Sequence, residues 1–168
     1  PALLQAKAQG AGERWTLGNL DVRLGDNRIQ GQGSLQQQIQ ARLNIDLARL
    51  GQLWPGLQGQ LKGQLDAAGT LQAPQGKLSL QGRQLALDSN RLQNLTLDAA
   101  LDKAQRGNLD LTAAGIRAGD TDLGTLTGKA SGDIKRQQLQ LALKGPQLAV
   151  ATALDGTLDK GFTAQSSW

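Results

Sequence analysis

The sequence predicts an all-β protein: a long antiparallel meander curled into an open, taco-like trough with an aliphatic interior. Between residues 59 and 101 leucine recurs at every second position, with Gln, Lys, Ser, Thr or Asp between the leucines. A period of two is typical of β-strands that have one apolar and one polar face. Glycines and short polar runs interrupt the pattern every several residues, as successive hairpins require. Helical spacing is confined to one short stretch, 47–54.

The first third of the chain predicts four strands followed by that short helix. The strands cover 13–17, 20–24, 28–35 and 38–47. Asp46 is expected to cap the helix, and Pro55-Gly56 to end it. Trp54 is expected to anchor the helix by packing over one end or edge of the sheet.

Longer strands are predicted after Gly56, and they complete a single domain over residues 1–168. They cover 57–70, 77–81, 84–88, 91–102, 108–117, 121–134, 138–144 and 147–158. Pro74 and Pro146 fall between predicted strands, where a missing N–H group removes no ladder hydrogen bond.

A short internal repeat places two leucines three residues apart. It occurs as Leu17-Gly-Asn-Leu20, Leu92-Gln-Asn-Leu95 and Leu123-Gly-Thr-Leu126. We expect each copy to open a strand, and a Leu-x-Leu or Leu-x-Ile strand to follow after a turn. Repeats of a few strands are typical of elongated, open-ended stacks in which each unit packs on its neighbours.

The apolar face of the predicted sheet has little in the chain to cover it. Antiparallel sheets normally bury this face under helices or a second sheet, and the sequence predicts one short helix only. The inward rows mix leucine with Gly and Ala, as at Leu61, Gly63, Leu65, Ala67 and Gly69. We therefore expect space inside the trough that the side chains do not fill and that an acyl chain can occupy. A closed sandwich of leucines is the alternative.

Aliphatic residues of these rows are predicted to line a hydrophobic groove that holds lipid tails while head groups stay in water. Burial of each methylene contributes about 0.8 kcal/mol relative to water. The predicted groove residues are Leu61, Leu65, Leu78, Leu80, Leu85, Leu87, Leu95, Leu97, Leu109, Leu111, Leu139, Leu141, Leu143, Leu148 and Val150.

The composition excludes several classes of site. The chain has no Cys and no His, so disulfides, Ser-His-Asp and Cys-His sites, and thiolate or imidazole metal ligands are impossible. No glycine-rich phosphate-binding motif occurs. The nearest carboxylate pairs, Asp98/Asp102 and Asp120/Asp122, are predicted to be hydrated surface groups rather than a calcium site. We therefore expect no enzyme activity, no cofactor and no metal.

Charge and the chain ends narrow the possible functions and the possible extent of the protein further. The net charge of +4 comes from scattered basic residues, and aromatic residues make up 2% of the chain. Nucleic-acid binding, which requires a basic stripe and often stacking aromatics, is not expected. No apolar run reaches the 18 or so residues of a membrane-spanning helix, and the first residues lack the features of a signal peptide. Both ends read as cuts, so we expect an internal fragment of a longer protein.

Three stretches resemble a known family. They read GQLKGQLDAAGTLQAPQGKLSLQG, LQNLTLDAAL and LKGPQLAVATALDGTLDKG. These stretches, their order and the segment before Trp54-Pro55-Gly56 resemble the sequences of the TamB family of AsmA-like proteins. Members of that family are inner-membrane-anchored subunits of bacterial translocation and assembly modules. They are related in shape to bridge-like lipid-transfer proteins. The resemblance covers nearly the whole chain, although the family's membrane anchor and barrel-binding segment are not recognisable in it.

The resemblance implies a location and partners. It implies a periplasmic trough that forms part of a bridge between the two membranes of a Gram-negative bacterium. It implies the outer-membrane barrel TamA as a partner of other parts of the protein. It also implies a role in outer-membrane biogenesis, with phospholipids or unfolded outer-membrane proteins as substrate.

Two functions besides lipid transport stay open at the level of sequence. In the first, the chain acts like a chaperone, and an exposed edge strand pairs with an incoming outer-membrane strand by β-augmentation. In the second, the chain is a passive spacer, a right-handed β-helix or sandwich without a ligand.

Overall fold

A computed structural model describes residues 2–11, 14–133, 135–157 and 161–167. Within them, twelve strands pair in chain order as a single sheet, each strand antiparallel to the one before it. The strands are β1 (Ala2–Ala11), β2 (Arg14–Leu24), β3 (Asn27–Leu35), β4 (Ile39–Leu47), β5 (Leu57–Gly69), β6 (Pro74–Leu87), β7 (Asn90–Leu101), β8 (Gly107–Ala118), β9 (Thr121–Gly132), β10 (Gln137–Lys144), β11 (Ala149–Thr157) and β12 (Gly161–Ser167). The sheet stays open, with β1 and β12 at its edges. The predicted all-β antiparallel meander is confirmed.

The helix predicted over 47–54 is wrong. Leu47 is the last residue of β4, where it pairs with Leu61 of β5, and only Leu50–Gln52 form a turn of 3₁₀ helix. Asp46 lies inside β4, and its carboxylate forms an ion pair with Lys62 on the neighbouring strand (3.4 Å) instead of capping a helix.

A buried asparagine explains why the chain does not turn into a helix there. Asn27, at the start of β3, is only 2% exposed. Its Oδ1 accepts the backbone N–H of Arg49 (2.9 Å), and its Nδ2 donates to the carbonyl oxygens of Arg49 (2.8 Å) and Leu24 (3.1 Å). These bonds fix Arg49 in an extended conformation, with φ of −141° and ψ of 91°, which a helix through this residue cannot adopt.

Two pairs of predicted strands are each one continuous strand. β2 runs through Gly18-Asn19, and β6 runs through Gly82-Arg83 and the following Gln84, whose φ is 51°. Pro74 does not lie in a loop, because it is the first residue of β6 and pairs with Gly69. Proline is tolerated at the first position of a strand.

The ends of two strands and both edges of the sheet also differ from the prediction. The strand predicted over 121–134 ends at Gly132, and the strand predicted over 147–158 begins at Ala149. Ile134 and Leu158, the last residues of these two predictions, lie outside the described residues. The edge strands β1 and β12 were not predicted.

The repeat of two leucines three residues apart corresponds to a β-bulge. Leu17 and Leu20 of β2 oppose Gly33 and Gly31 of β3, which are only two residues apart. The extra residue in β2 keeps both leucines on the same face, since spacing of three in a regular strand would place them on opposite faces. Leu17 therefore lies in the middle of β2 and does not open a strand.

The other two copies lie at irregular positions of β7 and β9. Leu92 and Leu95 pair with Ile116 and Ala113 of β8, and Gly115 of β8, which lies between these partners, has φ of +69°. The Leu123–Leu126 copy coincides with register shifts between β8 and β9. Here Leu92 and Leu123 are each the third residue of their strands.

The chain buries very little of itself. Its accessible surface is 11923 Å², whereas a compact monomer of 17.7 kDa exposes about 8,000 Å². Among the described residues Leu50 and Ala113 are the buried apolar side chains, and no large side chain is fully buried. The hydrophobic residues therefore form a surface and not an enclosed core.

Candidate functional site

The strand register places the aliphatic side chains on one face of the sheet in three rows that cross the strands. We name the set the leucine face. One row is Ile29, Ile45, Gly63, Leu80, Leu97, Leu111, Gly128 and Leu141; a second is Leu43, Leu65, Leu78, Ala99, Leu109, Ala130, Leu139 and Leu154; the third is Leu47, Leu61, Gly82, Leu95, Ala113, Leu126, Leu143 and Val150. Each row follows directly opposite partners from strand to strand, so neighbouring side chains are in reach of one another.

The register brings together most of the residues predicted from sequence. Twelve of them belong to the three rows: Leu61, Leu65, Leu78, Leu80, Leu95, Leu97, Leu109, Leu111, Leu139, Leu141, Leu143 and Val150. Leu85 and Leu87 extend the face toward one end of β6, where they pair with Leu92 and Leu57. Leu148 lies outside the face, in the β10–β11 turn, where its carbonyl oxygen accepts the N–H of Gly145 (2.8 Å).

The leucine face also contains residues on its β3–β4 side that were not predicted from sequence. Ile29, Leu43 and Ile45 occupy the same rows as the predicted leucines, as does Leu126 in β9. Their alternating spacing in the sequence was the available signal, and it was strong in residues 39–47. The position of Leu126 depends on the irregular stretch of β9, which periodicity alone does not reveal.

No second layer packs on the leucine face within the part of the chain that the structure describes. The extensive backbone contacts are those between neighbouring strands and those of the 3₁₀ turn with β5. Leu80, Leu97 and Leu111, in the middle of the sheet, are only partly buried, and Leu141 is 36% exposed. A contiguous exposed apolar patch of this kind is typical of an interaction site.

Several glycines on the leucine face do not leave empty space, because the side chains of neighbouring leucines fill the space beside them. Side-chain atoms of Leu80 occupy the space beside Gly63, and those of Leu43 occupy the space beside Gly31. At Gly128 a Cβ would lie 3.1 Å from Leu141 Cδ2. The leucine face is therefore an even aliphatic surface at these positions, and a ligand would lie on it and not between its side chains.

The opposite face of the sheet is polar and carries the ion pairs. Arg28 pairs with Asp21 (2.6 Å) and Arg42 with Asp66 (2.6 Å). Between β8 and β9, Lys129 pairs with Asp110 (3.7 Å). Hydrogen bonds from Arg28, and then from Arg23, hold the pKa of Asp21 well below its usual range. Surface pairs of this kind contribute little to stability.

One of the four carboxylates considered for calcium, that of Asp102, accepts hydrogen bonds within a turn. Asp102 lies in the β7–β8 turn, where its Oδ1 accepts the N–H groups of Ala104 (2.8 Å) and Arg106 (3.0 Å). These backbone bonds, with that from Arg106 the largest cause, lower the pKa of Asp102. The described residues contain no group of three or more acidic or other ligating side chains that could hold a metal ion.

The polar face also contains a cavity of about 1210 Å³ that extends from β2 to β8. We name it the polar-face cavity. Its walls include Gln40, Arg42, Asp66, Lys77 and Asn108 from the strands, with Asp102, Lys103 and Arg106 from the β7–β8 turn. It lies on the side of the sheet away from the leucine face, because its strand residues alternate with the leucines.

Among the described residues, no helix has the length and apolarity needed to cross a membrane.

Comparison with known proteins gives the chain's relationships. The family model described as "TamB, N-terminal domain" matches residues 1–168. A curated protein of Haemophilus influenzae, the "Translocation and assembly module subunit TamB", is 26% identical over 148 residues, which cover 86% of this chain and 11% of that protein. The chain thus spans about a tenth of the length of that relative. No solved structure matches. Since the family model covers every residue of the sequence, the chain belongs to the TamB N-terminal domain family.

Proposed function

We propose that this chain is a segment of a periplasm-spanning bridge that supports outer-membrane biogenesis. In this proposal it belongs to a translocation and assembly module, in a protein anchored in the inner membrane, and a TamA-like outer-membrane barrel contacts other parts of the protein. Its leucine face holds the acyl chains of phospholipids, or another amphipathic substrate, during transport between the two membranes. Membership of the TamB family supports the setting.

The observation that carries the proposal is the absence of cover on the leucine face. The described chain provides no second layer for it, and water contact with a row of leucines costs about 25 cal/mol per Å² of apolar surface. An acyl chain on the face removes this surface from water. Transfer from a bilayer to the face is close to neutral, because both are hydrocarbon, so a lipid can enter and leave.

The test places a charge on the leucine face and the same charge on the polar face next to it. Leu80→Asp removes a central leucine, whereas Ser79→Asp adds the charge one residue away on the other face. Photo-crosslinking to a phospholipid with a reactive acyl chain should fall strongly for Leu80→Asp and stay at the parent level for Ser79→Asp. Equal crosslinking of parent and both variants, each shown by circular dichroism to be folded, contradicts the proposal.

A second candidate function is strand addition at the β1 edge, which a specific observation favours. β1 is ten residues long and every residue is exposed. It has one charged residue, Lys7, and no proline. Natural edge strands are usually protected by several charges, proline or bulges, and β1 has one register shift against β2, between Lys7 and Ala8. We infer that the outer side of β1, which has no neighbouring strand in the described sheet, accepts a strand from an unfolded outer-membrane protein.

Proline substitution separates the two functions. Adjacent residues of an edge strand direct their N–H groups to opposite sides, so one of Gln5→Pro and Ala6→Pro removes an outward N–H without breaking the β1–β2 ladder. That variant should lose binding of a β-strand peptide from an outer-membrane protein but keep acyl crosslinking. Unchanged peptide binding in both proline variants contradicts strand addition at β1.

A further inference from the structure

The polar-face cavity carries more positive than negative charge. Four cationic side chains line it, Arg42, Lys77, Lys103 and Arg106, against the two carboxylates of Asp66 and Asp102. The cavity is therefore a positive concavity on a face whose charges are otherwise mixed. A positive concavity concentrates anionic ligands.

Two of the four cations are already paired. Arg42 Nε lies 2.6 Å from Asp66 Oδ1, and Arg106 lies 3.2 Å from Asp102 Oδ2. Lys77 is directly opposite Asp66 in the β5–β6 register, but that carboxylate is held by Arg42. Across the described ranges neither Lys77 nor Lys103 forms an ion pair.

The turn that brings Lys103 to the cavity is fixed in place. Asp102 Oδ1 accepts two backbone N–H groups of this turn, so its carboxylate is occupied within the turn. The side chain of Gln105 donates to the carbonyl oxygen of Pro74 (2.9 Å), at the start of β6. The turn is thus tied to the strand that carries Lys77, and little ordering is needed before a ligand binds.

A small residue separates the groups that could contact a ligand. In the strand register Lys77 is opposite Ala100, and Ala100 is opposite Asn108. The short side chain of Ala100 leaves room between the ammonium group and the amide. Lysines bind phosphate as point charges, and the Asn108 amide can bond to hydroxyl or ester oxygens.

We propose that the polar-face cavity binds a phosphate ester of a hydroxylated ligand, such as a glycerol phosphate, through Lys77 and Lys103, with Asn108 contacting the neighbouring oxygens. The site lies on the face opposite the proposed acyl-binding surface, so it is independent of the proposed function. The phosphate can come from a soluble ester or from a lipid head group.

The experiment measures binding to the 168-residue chain by backbone amide chemical shifts. Glycerol 3-phosphate is titrated against neutral glycerol, and a parallel series uses vesicles of phosphatidylglycerol against vesicles of phosphatidylcholine. Binding should shift the amides of Gln75, Ala100 and Asn108. The double variant Lys77→Gln/Lys103→Gln should weaken the binding about tenfold or more, as expected for loss of charge-assisted contacts.

A matched control separates the site from net charge. Lys144→Gln removes a lysine from β10, outside the cavity, and should leave the affinity unchanged. Binding of glycerol 3-phosphate supports a soluble ester, and binding to phosphatidylglycerol vesicles alone supports a head group. The single variant Lys77→Gln removes the same charge as Lys144→Gln and is measured beside it. The proposal is overturned if neither probe binds, or if these two single variants weaken binding equally. Acyl crosslinking by the double variant should match the parent, so failure here leaves the acyl proposal standing.

Discussion

At the scale of single residues, Asn27 is the buried polar side chain among the described residues, and it bonds to two backbone segments. It is buried among apolar neighbours on the leucine face. Its side chain bonds to the N–H and carbonyl groups of Arg49, which in a helix or strand would bond to other backbone groups. A buried amide is tolerated only when it is hydrogen-bonded. Asn27 thus determines where the β4–β5 connection turns back, and with it the position of Leu50–Gln52.

Asn27→Ala should destabilise the chain by about 1–3 kcal/mol, because the N–H and carbonyl groups of Arg49 lose the partner that the buried side chain of Asn27 provides. Urea unfolding followed by circular dichroism measures the change. Asn44→Ala is the control, since Asn44 is exposed on the polar face and should change stability by less than about 0.5 kcal/mol. Equal effects of the two variants contradict the role given to Asn27.

The aspartates of two turns predict a pH dependence. Asp102 and Asp133 each accept backbone N–H groups of their own turns, and these bonds lower the pKa of both carboxyls below 3.8. A depressed pKa in the folded state means that the stabilisation is complete above the unfolded pKa and is lost as pH falls through the folded pKa. We expect the turns to loosen below pH 3.8 and to be insensitive above it.

Carboxyl-detected NMR titration checks this prediction. Asp102 and Asp133 should protonate at lower pH than a carboxyl without such bonds in the unfolded chain. Asp133→Asn keeps an acceptor oxygen without a charge, so the amide shifts of Lys135 and Arg136 should no longer titrate. Titration of both carboxyls above 3.8 contradicts the assignment.

At the scale of elements, the irregular positions in the strands keep the leucine face continuous. Leu17 and Leu20 stay on one face because β2 carries an extra residue against β3. Gln93 and Gly115 lie between matched pairs in β7 and β8, with the Gln93 side chain beside the Gly115 backbone. Without these irregularities a spacing of three would turn one leucine of each pair to the polar face.

Gly115→Ala should cost more than Gly119→Ala. Both glycines have positive φ, +69° and +58°, so each alanine incurs the left-handed strain of about 1 kcal/mol. Only at Gly115 does a new Cβ meet a side chain, that of Gln93. Thermal unfolding of the two variants measures the difference, and Gln93→Ala should reduce the extra cost at Gly115. Identical costs would show that Gln93 moves aside freely.

At the scale of the whole molecule, the sheet exposes far more surface than a compact protein of its mass. Its accessible surface is 11923 Å², and the leucine face contributes apolar area that no described element covers. Such a chain has little enclosed core from which to draw stability. Its stability should therefore depend on what binds to the leucine face.

A lysophospholipid below its micelle concentration should raise the thermal midpoint of the chain, because a ligand that binds only the folded state stabilises it by mass action. Leu97→Arg should reduce this rise, whereas Thr96→Arg, one residue away on the polar face, should preserve it. Differential scanning fluorimetry measures the shift. An equal rise in both variants contradicts binding at the leucine face.

Prediction from sequence succeeded where local pattern and structure share one cause. Leu78 and Leu80 alternate with polar residues, and a regular strand places them on one face without further information. It failed over 47–54, where helical spacing is present but Asn27, 22 residues before Arg49, holds Arg49 extended. It also split β2 at Gly18-Asn19, since a glycine inside a strand can mark either a turn or a bulge.

The sequence by itself determined the class of fold and the identity of the aliphatic residues, because a period of two is a property of the extended backbone. It did not determine the register between neighbouring strands, nor that two leucines three residues apart share a face. The tertiary structure decided these points, since register depends on partners that are distant in sequence. It also decided that leucine side chains fill the space beside glycines of the leucine face, and that the polar face contains a positively charged cavity. Both features arise only when neighbouring strands bring their side chains together.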